Sequence, residues 1–144
     1  AWSVAYTGID GLALTFARGE DNATAGSEAD HEVMKATYAY GPITVGYMES
    51  DYNDAVASGD QNTTAYNVAY TISDELSVSY GSEELEFGVQ SATNVAAEFE
   101  RLSVTYVTGG MTLTASQASG DNVSYSTATT EDREVWALGA SFAF

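Results

Sequence analysis

Glu134-Val-Trp-Ala-Leu-Gly-Ala-Ser-Phe-Ala-Phe144 decides the fold. Trp136, Leu138, Ala140, Phe142 and Phe144 share one parity, and Val135, Ala137, Gly139, Ser141 and Ala143 share the other. A strand turns its side chains over at every residue, so the stretch predicts one large apolar face and one small face. A soluble strand has no evident reason to end on an aromatic carboxylate.

The same two-residue period recurs upstream and predicts nine strands in all. The apolar sets before the last run are Trp2/Val4/Tyr6, Leu12/Leu14/Phe16, Met34/Ala36/Tyr38/Tyr40 and Ile43/Val45/Tyr47. They continue with Tyr66/Val68/Tyr70/Ile72, Leu76/Val78/Tyr80, Leu102/Val104/Tyr106 and Met111/Leu113/Ala115. The residues between them are mainly Ser, Thr, Ala and Gly. Connections alternate in length. Gly8–Gly11, Gly41-Pro42, Ser73–Glu75 and Gly109-Gly110 read as tight turns. The stretches Gly19–His31, Ser50–Asn62, Phe87–Ala97 and Ser119–Asp132 read as long polar loops. Short turns on one rim and long loops on the other suit a closed transmembrane barrel. Tyr40, Tyr47, Tyr66, Tyr80, Tyr106, Trp2 and Trp136 then fall where interfacial aromatic girdles belong. A soluble sandwich would alternate as well, but its inner face would carry interlocking branched aliphatics.

Composition narrows the function. A formal charge of −17 argues against nucleic acid as a partner and against electrostatic attachment to anionic lipid. The aromatic content argues against disorder. No cysteine is present, so there is no disulfide or thiolate metal site. His31 is the only histidine, which leaves no zinc site of ordinary composition and no marked Ser-His-Asp triad. Glu83 and Glu84 are adjacent acids with no pocket inferable from sequence. Asn22-Ala-Thr24, Asn62-Thr-Thr64 and Asn122-Val-Ser124 match glycosylation sequons, as chance produces in an Asn- and Ser-rich chain. Nothing marks an enzyme.

Tyr70-Thr-Ile-Ser-Asp-Glu-Leu-Ser-Val-Ser-Tyr-Gly81 and Leu102-Ser-Val-Thr-Tyr-Val-Thr-Gly-Gly-Met-Thr-Leu-Thr-Ala-Ser116 resemble hairpins of general porins of the alphaproteobacterial type. Gly41-Pro-Ile-Thr-Val-Gly-Tyr47 is similar to a strand start in that family, and Leu138–Phe144 to its C-terminal strand. The resemblance covers most of the chain and is weakest in the loops. It implies an all-β transmembrane barrel in the outer membrane of a Gram-negative bacterium, trimeric, in contact with lipid and lipopolysaccharide. It implies a water-filled channel for ion transport and passive diffusion of small hydrophilic solutes. It also implies that Trp136, Leu138, Phe142 and Phe144 form the signal read by the barrel-insertion machinery. Such porins have sixteen strands, so residues 1–144 are expected to form one domain that is the C-terminal part of a longer barrel. A second reading leaves Trp2–Thr7 outside and closes eight strands into a filled barrel that acts as a membrane anchor or adhesin.

Charges supply the candidate site. The bases are Arg18, Lys35, Arg101 and Arg133. Lys35, Arg101 and Arg133 have the parity of the small, inward face and are the expected pore-lining residues. Facing acids, Lys35 and Arg101 would set a transverse field, as the resemblance implies. The alternative is simple ion pairing in water, for instance with Glu32 or Glu98. Arg18 shares parity with Phe16 and is expected to face outward unless the strand has ended or bulged. The acids are expected in the long loops, where they would favour cations at the mouth. No cofactor is expected; Asp51, Asp54 and Asp121 are the densest oxygen-rich candidates for Ca2+.

Overall fold

A computed structural model of the chain describes all residues except 25, 26, 56, 92, 93, 128–131 and 144, and leaves the side chains of 22–24, 27 and 57 undescribed. Phe144, the last residue of the expected insertion signal, therefore lies outside the described residues.

Nine strands form: β1 Trp2–Ile9, β2 Leu12–Thr24, β3 Ser27–Tyr40, β4 Ile43–Asn53, β5 Gln61–Thr71, β6 Leu76–Phe87, β7 Ala97–Thr108, β8 Met111–Asp121 and β9 Arg133–Phe142. They make one sheet in chain order, each antiparallel to the next. Among the described residues there is no α-helix and no second sheet, only a short 3-10 turn at Ala57–Gly59. The two-sheet sandwich is thereby set aside. So is the eight-stranded reading, because the first run joins the sheet: Trp2 lies opposite Arg18, Val4 opposite Phe16 and Tyr6 opposite Leu14.

Tight turns follow their glycines. Gly11, Gly41, Gly109 and Gly110 all have positive φ, from +54° to +81°, which L side chains rarely adopt. Each short turn is also tied to the strand beyond it. The carbonyls of Gly11, Pro42, Glu75 and Gly110 accept hydrogen bonds from the N–H groups of Ala39, Thr71, Val107 and Ala143, at 2.7–2.8 Å. Every second strand thus extends past the preceding turn, and the rim is staggered.

The strands run further into the polar sequence than the apolar period shows. β2 continues to Thr24 and β3 starts at Ser27, so the long loop expected over Gly19–His31 is instead a hairpin arm. There, polar residues occupy both faces, and the ladder persists without an apolar signal to reveal it. Long connections remain at 54–60, 88–96 and 122–132.

No ordinary core exists among the described residues. Ala29, Ala97 and Ser116 are buried, and no large side chain is. Leu14, Val45, Val68, Val104 and Leu138 instead stand exposed on one face, Leu138 at 86%. The other face wraps a groove lined by β3 to β8. The sheet therefore has a convex, apolar face and a concave face of small and polar residues. β1 and β9 are unpaired at their outer edges and exposed along their whole length.

Candidate functional site

The groove on the concave face has a volume of about 620 Å³. Its floor is made by Gly46, Ala65 and Gly81, whose small size leaves the space open. Lys35 on β3 stands at one side, and Arg101 on β7 at the other. Between them the register runs Lys35–Met48–Ala65–Glu83–Phe99 across five adjacent strands, each residue opposite the next. Arg101 lies opposite Gly81, one residue pair from Glu83. Its guanidinium donates to Ser116 Oγ at 3.3 Å, and Ser116 is buried at 8% exposure.

Two of the three expected pore-lining residues, Lys35 and Arg101, meet in this groove. Arg133 keeps the inward parity, opposite Gly120, but sits on the β9 edge away from the groove. Lys35 and Arg101 do not pair with Glu32 or Glu98, which project from the opposite face. Among the described residues the ion pairs belong to Arg18, with Glu32 at 2.8 Å and Asp30 at 3.5 Å. Arg18 faces outward on an unbroken strand, and these partners surround it there. Glu83 and Glu84 separate completely. Glu83 lines the groove with Lys35 and Arg101, whereas Glu84 is on the convex face. Parity already held that information, since Glu83 continues the series Ser77, Ser79 and Gly81. Asn67, Met48 and Phe99 were missed in the sequence because one polar or apolar side chain among small ones carries no period.

The acids redistribute as well. Glu20, Asp30, Glu32, Glu49, Asp51, Glu84, Glu86, Glu98, Glu100, Asp121 and Glu134 lie in strands and share the parity of the apolar side chains. They form a collar above the apolar belt, on the long-loop side of the convex face. Aromatic groups at the boundary bond to it. Tyr47 donates to Glu49 at 3.0 Å, Tyr80 to Glu100 at 2.6 Å, and Trp136 Nε1 to Glu134 at 3.1 Å. The Ca2+ candidates do not converge. Asp51 accepts from Asn62 on the convex face of β4 and β5, Asp121 ends β8, and the Asp54 N–H donates to Asp60. Among the described residues no group of three or more His or acidic side chains could hold a metal ion.

The boundary between belt and collar runs obliquely. It falls after Phe16 on β2 and its partner Met34 on β3. On β4 it has dropped by one residue pair, because Met34 is opposite Glu49, and Tyr47 with Tyr66 now ends the belt. It drops again at β6, where Ser82 faces Tyr66 and Tyr80 with Leu102 ends the belt. At β8, Gln117 faces Leu102 and Ala115 ends it. Trp136, opposite Gln117, steps back by one pair on β9. From β2 to β8 the slope is one residue per strand, about 3.3 Å along the chain for each ~4.8 Å across it, or roughly 35°. The staggered turns follow the same slope.

The chain matches no protein-family model, and a search of curated proteins finds no match.

Proposed function

We propose that the chain forms part of an outer-membrane porin wall, with its convex face against lipid and its concave face toward a water-filled channel for small hydrophilic solutes and ions. The oblique belt carries the reading. A flat bilayer crossing strands tilted by about 35–45° must cut the sheet along such a slope, with aromatic girdles at the interface. A soluble sheet has no reason to align its polar boundary obliquely. Among the described residues no helix is long and apolar enough to cross a membrane, and a sheet in lipid must pair every backbone group. The β1 and β9 edges therefore need partner strands.

The count of nine bears on those partners. In an antiparallel meander β1 and β9 point the same way, so they cannot close on each other antiparallel. Closure that is antiparallel throughout takes an odd number of further strands, and the sixteen-stranded barrel of the resembling family meets that condition. Assembly into a homotrimer, contact with lipopolysaccharide and delivery by the barrel-insertion machinery belong to the same proposal.

Lys35, Arg101 and Glu83 set the charge of the wall. The collar acids face outward by parity, so the acids left to favour cations at the mouth are those of the connections, Asp54, Asp60 and Asp132 among them. Selectivity then follows the groove charges.

The full barrel that carries these nine strands, purified and placed in a planar lipid bilayer, should give stepwise, ohmic conductance. Protein that is inserted, as judged by protease protection, but gives no conductance overturns the channel.

A further inference from the structure

We propose that a second niche on the concave face, nearer the long-loop rim, binds the ring of a neutral sugar. His31, Tyr52 and Gln61 stand opposite one another on β3, β4 and β5, and Ser50 lies opposite Thr63 one pair closer to the short turns. Together they line a cavity of about 360 Å³. The His31 and Tyr52 rings are 4.4 Å apart and inclined at 51°.

Two properties select the ligand. Aromatic rings hold the apolar face of a partner by dispersion and hydrophobic contact. A pyranose offers such a face in its C–H groups, with hydroxyls around the edge. Ser50, Thr63 and Gln61 are suited to those hydroxyls, because each can both donate and accept. Among the described residues none of the three, nor the Tyr52 hydroxyl, makes a side-chain hydrogen bond within the protein. Their capacity points into the niche unused. No Lys, Arg, Asp or Glu lines it, so an ionic ligand would lose its hydration without gaining a counter-charge. The inference adds a solute class to the channel reading, and its test does not depend on conduction.

His31 is the only histidine, so its imidazole C–H signals in an NMR spectrum are unambiguous. Folded protein in detergent micelles is titrated at fixed pH with methyl β-D-glucopyranoside, and separately with erythritol, an acyclic polyol without a ring face. A saturable His31 shift with the glucoside and none with erythritol is expected. Tyr52→Leu should weaken binding by about tenfold, the scale of one aromatic contact. Gln61→Ala should weaken it less, and an unchanged far-ultraviolet circular dichroism spectrum of the sugar-free protein shows that each variant is folded. The inference is overturned by the absence of saturation in the unsubstituted protein, by equal shifts from erythritol, or by unaltered affinity in both variants. Protein that conducts without a saturable shift keeps the channel and loses the sugar site. Protein that binds without conducting does the reverse.

Discussion

The convex and concave faces are built from the same strands and alternate residue by residue, yet they carry opposite chemistry. On β7, Leu102, Val104 and Tyr106 project outward while Arg101, Ser103 and Thr105 project inward. On β4, Val45 and Tyr47 project outward while Gly46 and Met48 have the opposite, inward parity. The bases divide with the faces. Lys35, Arg101 and Arg133 are inward, and Arg18 alone is outward, amid the collar acids. A net charge of −17 is therefore a poor guide to the wall of the groove. It describes chiefly the outside and the loops.

The sharpest way to break this comparison is to place the same charge on each face at the same level. Val104→Lys puts an ammonium in the middle of the belt and should destabilise protein folded in lipid vesicles by about 2–4 kcal/mol. Ser103→Lys, one residue away and facing inward, should change stability by less than about 0.5 kcal/mol. Denaturant titrations of the two variants in vesicles measure both. Equal losses would mean that the convex face does not meet lipid.

A smaller effect separates the faces by conduction. Lys35→Glu combined with Arg101→Glu should raise the cation-to-anion permeability ratio about fivefold, the scale of ~1 kcal/mol between charges in wet surroundings. Glu49→Gln combined with Glu84→Gln, on the convex face, should leave the ratio unchanged. Reversal potentials across a salt gradient at low ionic strength test the pair, since screening shortens the reach of either change. A shift from the convex pair alone would reassign the channel wall.

How far the sequence could be read follows from which signals are periodic. The nine strands, their faces and the short turns were legible, because apolar alternation and positive-φ glycines leave local marks at Gly11, Gly41 and Gly110. Lys35 and Arg101 could be placed inward by parity alone. The arm of β2 and β3 beyond Arg18 was not legible. Glu20, Asp21, Asp30 and His31 look like loop residues, and only the ladder to the neighbouring strand shows that they pair. The niche of His31, Tyr52 and Gln61 was hidden for the same reason, as it depends on a register linking three strands. The oblique belt also requires that register. Sequence gives where each strand turns polar, but not which residue of the next strand stands beside it.

Arg18 gives the smallest and most discriminating test, because it marks the line between belt and collar. Its guanidinium bonds to Glu32 at 2.8 Å and lies 3.5 Å from Asp30, with all three side chains 37–45% exposed. Exposed pairs of this kind contribute little, so Arg18→Gln should lower stability by about 0.2–1 kcal/mol, and the difference should shrink as salt is raised. If Arg18 instead lay within the hydrocarbon, removing its charge would stabilise the protein, because the intramembrane penalty would be relieved. The sign of the change in a vesicle-folding titration thus locates the lipid boundary relative to Phe16 and Arg18. A small, salt-sensitive loss puts it below Arg18, where the slope drawn through Met34, Tyr47 and Tyr80 requires it.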